Sequence, residues 1–278
     1  MEINNLREYQ KMQLPLIEKI DEICQKQGLK YYLIGGTLLG AVRHKGFIPW
    51  DFDMDIAMPR KDYELFKEYW KNKQDPIFFY QDFETEKKHF SPHALLRLKN
   101  TEIRYNIRQI SKTKYRGLYI DIFPLDEPPA DAALQEKQAK RIKRIKGIFG
   151  HKVGFCYNNN VLKTLAKFIV SKLLSPITFR HLGKQLNKLM TAYTDSGSGY
   201  LVSMASHYSY KKQLMRQEVY GEPVRLEFEG LMLCCPQKYE EYLKALFGDY
   251  MKLPPEETRY SELKLIKEVV SLPETDIK

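Results

Sequence analysis

Four aspartates and a glycine pair are the residues of this chain best placed to do chemistry. Asp51, Asp53 and Asp55 alternate with apolar residues in PWDFDMDIAM, and Asp121 stands between Ile120 and Ile122. On an extended strand the first three share one face, with Phe52, Met54 and Ile56 on the other. Asp53 and Asp55 are then about 6.5–7 Å apart along the backbone, and their side chains can converge on one Mg²⁺, which takes carboxylate oxygens at about 2.0–2.1 Å. Mn²⁺ is the alternative ion. Such a cation also cancels the repulsion between the acids. The plain alternative is a polar, solvent-facing strand.

Gly35-Gly36 ends the apolar run Tyr31 to Ile34, which reads as a buried strand entering a tight turn. Thr37 is placed to cap a short helix, Leu38 to Arg43. A glycine turn before a helix N-terminus is a ready phosphate site of backbone N–H groups. Asp121 is costly to bury between isoleucines unless it is paired or coordinated, and it is the candidate for the third carboxylate that the fold resemblance given below implies. Asp51 then orients substrate rather than holding metal. Arg43, His44 and Lys45 could hold phosphate or acceptor, and Arg97 with Lys99 could clamp a pyrophosphate from one strand face.

These residues need a scaffold of strands and helices. Periodicity predicts a helix over 4–28 that kinks or starts at Pro15, then a helix over 61–72 after a strand ended by Pro59. Strands are expected at Ile77–Tyr80, Ala94–Lys99, Ile103–Tyr105 and Gly117–Pro124. From about residue 131 the composition turns helical and basic, with seven Lys/Arg and no acid between Lys137 and Lys152. Further helices are expected near 161–174 and 178–193. A strand pair or bent strand around Gly230 and a helix over 237–247 follow. The expected fold class is α+β with a mixed sheet, divided into a catalytic core (1–130), a basic helical insert (131–195) and a C-terminal part packing back on the core (196–278).

Composition bounds the possibilities. The 278 residues are 43% hydrophobic and 29% charged, enough to bury a real core. A net charge of +10 and a pI near 9.2 suggest an anionic partner. Nucleic acid is disfavoured because no binding motif accompanies the charge. Cys24, Cys156, Cys234 and Cys235 form no C-x-x-C pair, which speaks against a zinc ribbon and for a reducing cytosol. Cys234-Cys235 reads as a strand pair, and His89 and His93 show no metal spacing. The first residues carry acids and no apolar h-region, so no signal peptide is expected. Val161 to Phe179 is interrupted by Lys163, Lys167 and Lys172 and is a poor membrane span.

The pattern G-G-[ST] at a strand end followed by D-x-D resembles the nucleotidyltransferase fold related to DNA polymerase β. More specifically, GGTLLGAVRHKGFIPWDFDMD, PRKDY at 59–63, RLKNT at 97–101, YIDIFPLD at 119–126 and FEG…YLKALFGDYMKLPP resemble the LicD family, which shares a domain with the animal fukutin and fukutin-related proteins. The likeness is dense over 30–126 and returns over 225–255. Many members read PWDDDID where this chain has Phe52, and the cysteine cluster that binds zinc in the animal branch has no counterpart here.

The resemblance implies a Mg²⁺-dependent transferase that moves phosphocholine from CDP-choline to a hydroxyl of a cell-surface glycan or teichoic acid precursor. Asp53, Asp55 and Asp121 would hold the ion, and Asp121 would accept the hydroxyl proton. Ribitol, glycerol or ethanolamine phosphate are alternative cargoes. Phe47, Trp50, Tyr119 and Tyr208 are available to cage choline. A lipid-linked or polymeric acceptor at the cytoplasmic membrane face would suit the basic helices, which could also lie on an anionic leaflet. The competing class is a catalytically silent, basic membrane- or nucleic-acid-binding protein.

Overall fold

The computed structural model describes residues 6–105, 113, 115–153, 169, 170, 173, 174, 176–259 and 266–271. The N-terminal helix divides in two, α1 (Leu6–Lys11) and α2 (Leu14–Gln27), because Pro15 sits in the first turn of the second. Gly28 closes α2 in the left-handed conformation and donates to Cys24 O. Strand β1 (Tyr32–Leu33) leads into α3 (Gly35–His44). Strand β2 (Asp55–Pro59) runs directly into α4 (Arg60–Lys71), whose Tyr63, Phe66 and Trp70 are buried at helical spacing.

Strands β3 (Phe78–Gln81), β4 (Ala94–Leu98), β5 (Thr101–Tyr105) and β6 (Tyr119–Leu125) follow. The main sheet has the order β1-β2-β6-β4-β3. Only the β2–β6 pair is parallel, so the sheet is mixed and the fold α+β. At its centre β6 is buried almost throughout, as expected for a strand covered on both faces. Pro124 is tolerated there for a geometric reason. Asp121 N donates toward β2, to Met54 O, so by alternation position 124 faces the β4 side, beyond Ala94 where β4 has not yet begun.

Two of the expected strands meet different partners. β4 joins the main sheet, whereas β5 leaves it to pair with a C-terminal strand over 266–271. Two family-like motifs also meet. Arg60 makes a bidentate pair with the buried Asp126, Nε to Oδ1 at 2.6 Å and Nη2 to Oδ2 at 2.8 Å, tying α4 to the end of β6.

The basic middle begins with α5 (Ala132–Val153), which packs on α6 (Phe179–Met190). Phe149 bridges them to the core, its ring 5.9 Å from Phe179 and 5.6 Å from Phe83. The helix expected near 161–174, with Lys163, Lys167 and Lys172, lies outside the described residues except for 169, 170, 173 and 174, and Cys156 lies outside them. Among the described residues no helix is long and apolar enough to cross a membrane.

Strands β7 (Tyr200–Val202) and β8 (Leu214–Arg216) pair, and β9 (Val224–Phe228) and β10 (Leu231–Cys235) form a hairpin. Its Glu229 accepts from Phe47 N at 3.0 Å and from Arg7 Nη1 at 2.6 Å, and Phe228 packs on Phe47 with ring centroids 4.9 Å apart. The FEG motif is therefore a clamp on the loop that follows α3. Helix α7 (Tyr239–Phe247) packs against α3, and β11 (Ile266–Ser271) completes the pairing with β5. Residues from all three parts of the chain share one buried cluster, from Tyr9 through Phe149 to Leu246.

Candidate active site

Strand register brings the first two acids together. In the parallel β2–β6 pair Asp55 lies directly opposite Asp121, about 4.8 Å away across the sheet, and both side chains leave the same face. Asp53 reaches them from the segment before β2. The carboxylates of Asp53, Asp55 and Asp121 each offer an oxygen, and the three atoms lie within 4.8 Å of one another. Asp53 and Asp55 are half-buried and Asp121 is buried. Burial, then the charges of Asp51, Asp55 and Asp121, push the Asp53 carboxyl well above the ordinary carboxylate range.

The expected strand over 51–58 is shorter than the alternation suggests. It starts only at Asp55, because the carbonyls of Asp51 and Phe52 are taken by side chains. Gln10 Nε2 donates to Ile48 O at 3.1 Å and to Asp51 O at 2.7 Å, and Gln13 Nε2 donates to Phe52 O at 2.8 Å. Both glutamines are buried. Asp51 and Asp53 therefore do not project from a pleated strand face; they stand on a loop that side chains from the α1–α2 junction hold in place.

The glycine turn also differs from expectation. Gly35 and Gly36 are already inside α3, capped by the extended Ile34, and Gly35 has φ +56°. Thr37 is not the cap. Its hydroxyl accepts from Asp55 N at 2.8 Å, binding the first turn of α3 to β2. Acids crowd this turn. A Cβ on Gly35 would stand 3.1 Å from Asp55 Oδ2, and one on Gly36 would collide with Asp51 Oδ2 at 2.5 Å. The left-handed φ favours glycine at position 35, and at both positions carboxylates sit against the helix start, where backbone N–H groups and the dipole favour negative charge.

A cavity of about 290 Å³ opens at the acids, lined by Gly36, Asp51, Asp53 and Asp55 with Trp50, Tyr208 and Phe247 among its aromatic wall. Asp121 stands behind it. His93 Nε2 donates to Asp121 Oδ1 at 2.5 Å, and its ring lies 4.1 Å from that of Phe123. His89 Nε2 donates in turn to His93 O at 2.7 Å; burial pushes the His89 pKa down to about 3, so this ring is neutral near pH 7. His93 opens on the far side into a second cavity of about 330 Å³ between α4 and α6. Sequence reasoning missed His93. The β4–β6 register would have found it, since Ala94 opposes Ile122 and a side chain at 93 then lies diagonal to Asp121.

Other expected site residues are engaged elsewhere. Arg97 is buried, with Nε donating to Gln81 Oε1 and Nη1 to Gly117 O, both at 2.6 Å, and its guanidinium lies 4.7 Å over the Tyr119 ring. Lys99 lies just past the end of β4 and donates to Asp75 O at 2.5 Å. The pair does not form a clamp on the acid cavity: register puts Arg97 beside β3 and the 117–119 stretch. Arg43 donates to Tyr250 O at 2.8 Å and holds the segment after α7. His44 packs edge-on against Trp50, and burial, then Arg43, lowers its pKa. Neither lines the cavity. Of the four cage aromatics, Trp50 and Tyr208 line it, whereas Phe47 faces Phe228 and Tyr119 faces Arg97.

Residues 28–177 match the LicD/FKTN/FKRP nucleotidyltransferase domain. Over 255 residues the chain is 32% identical to the lipopolysaccharide cholinephosphotransferase LicD of Haemophilus influenzae, covering 91% of this chain and 93% of that protein. The chain belongs to the LicD family. A shorter stretch of 40 residues is 45% identical to ribitol 5-phosphate transferase FKRP of Homo sapiens and of Mus musculus, 14% of this chain and 8% of each relative. Membership makes this LicD-family chain a phosphotransferase and sets aside the catalytically silent alternative.

Proposed function

We propose that this LicD-family chain transfers phosphocholine from CDP-choline to a hydroxyl of a glycan acceptor, using a divalent cation held by Asp53, Asp55 and Asp121. The convergence of those three carboxylates carries the reading. Three hard oxygen donors suit Mg²⁺ or Mn²⁺ rather than a softer metal, and a cation there would offset both the burial and the neighbouring acid charges that raise the Asp53 pKa. When bound, the ion neutralises charge on the pyrophosphate oxygens as CMP leaves. The core is read as DNA polymerase β-like, supported by acids on adjacent parallel strands beside the glycine start of α3.

The chain's own groups account for the remaining steps. The acceptor oxygen forms a bond to the β-phosphorus of the donor, the bond from that phosphorus to the bridging oxygen breaks, and CMP departs with the electron pair. The acceptor proton passes to a carboxylate of the triad. Asp121 is assigned that role, with His93 holding one of its oxygens in place. Trp50, Tyr208 and Phe247 line the cavity and would give the trimethylammonium group an aromatic surface. Arg259 already stacks over Trp50 at 4.7 Å, a cation on that ring.

The experiment is a panel of CDP-choline, CDP-ribitol, CDP-glycerol and CDP-ethanolamine with Mg²⁺ and a surface-glycan acceptor. CMP release fastest with CDP-choline is expected. Release with another CDP-alcohol alone would replace phosphocholine as the cargo, and release with none would overturn the reading.

A further inference from the structure

A third cavity, of about 450 Å³, shares a wall with the acid cavity: His207 and Tyr208 line both. Its other sides come from α5 and the stretch Met204 to Lys211. On α5, Glu136, Ala139, Lys140, Lys143 and Lys146 recur at spacings of one, three and four, so a single helical face turns toward the cavity.

That face sorts into distinct roles. Lys140 is paired with Glu136 at 2.7 Å. Lys146 lies deeper, its Nζ donating to Ser206 O and to Met204 O, and burial pulls its pKa down to about 8. It tethers α5 to the opposite wall. Lys143 and Lys211 are exposed, and among the described residues neither has an acidic partner. Between these lysines the lining is carbon: Ala139, Ile142, Met204 and the rings of Tyr208 and Tyr210. A basic rim over an apolar lining complements an anion joined to an apolar group. A phosphate ester meets both requirements, since its oxygens can accept from two ammonium groups at once while its chain covers the carbon surface.

We propose that this cavity binds a phosphate ester carried on an apolar chain, as the anchoring part of the acceptor. The His207–Tyr208 wall then turns the hydroxyl-bearing end toward the acids. This second step rests on the transferase reading above; the binding itself does not.

Calorimetric titration of the full chain tests the binding without any CDP donor. The probes are octyl phosphate below its micelle concentration, inorganic phosphate and octyl glucoside. Octyl phosphate is expected to bind at least about tenfold tighter than either of the others, and the double variant Lys143→Gln/Lys211→Gln to weaken it by about tenfold. Asp55→Asn should leave its affinity unchanged. Equal binding of octyl glucoside or of inorganic phosphate overturns the proposal. So does unchanged binding by the double variant, or loss of binding in Asp55→Asn, which would move the phosphate to the acid site. A failure here with donor-specific CMP release intact sinks the cavity alone.

Discussion

The acids of the site are held in two different ways. Asp55 and Asp121 sit on adjacent parallel strands, where backbone register fixes their spacing. Asp51 and Asp53 sit on a loop whose carbonyls are held by Gln10 and Gln13. A strand pair of five registered residues loses little when one side chain changes, because the ladder persists. A loop held by two amides depends on each of them. The difference teaches that half of this site is positioned by the sheet and half by a helix junction about forty residues upstream.

The largest expected effect comes from the strand half. Asp55→Asn keeps the shape and the ladder but removes one charge from the cluster, and turnover with CDP-choline should fall by at least about 10²–10³-fold. Circular dichroism should show an unchanged fold, and near-normal turnover would remove Asp55 from the chemistry. His93→Gln comes next. It takes away the partner that orients Asp121, and a loss of about 10–100-fold in cation affinity or kcat is expected.

The loop half should respond differently. Gln13→Leu leaves the buried Phe52 carbonyl without its donor, at a cost of about 1–3 kcal/mol in denaturant unfolding. Cation affinity should weaken with it, since Asp53 follows Phe52 directly. If stability fell while cation affinity held, the loop would be organised without the glutamines. The smallest catalytic effect is expected at Arg97. Arg97→Met should destabilise, by leaving Gln81 Oε1 and Gly117 O unpaired, yet leave the KM for CDP-choline unchanged. A rise in KM there would restore the clamp on pyrophosphate that the structure does not form.

Local pattern made much of this legible. Pro15, Gly28 and the α4 stripe marked helix ends and faces, and GGT with DFDMD announced the site because its groups lie close in sequence. Asp121 was visible for another reason: an acid between two isoleucines contradicts its own neighbours. What stayed hidden depends on register and on distant side chains. Alternation says that Arg97 shares a strand face with residues two apart, but not which neighbour that face meets, and β3 supplies Gln81 rather than substrate. His93 touches Asp121 only because β4 begins opposite Ile122. The late start of β2 at Asp55 reflects two amides from the α1–α2 region that no reading of residues 51–58 contains. Thr37 looked like a cap because its type and position suit one, yet its hydroxyl serves Asp55 instead.

The central claim is that Asp53, Asp55 and Asp121 together hold one divalent cation. Titration of Mn²⁺ into the protein, followed by its electron paramagnetic resonance signal, tests it most directly. The account predicts one bound Mn²⁺ per chain, displaced by Mg²⁺ and lost separately in Asp53→Asn, Asp55→Asn and Asp121→Asn. No stoichiometric binding to the wild type, or undiminished binding in any of the three variants, would contradict it.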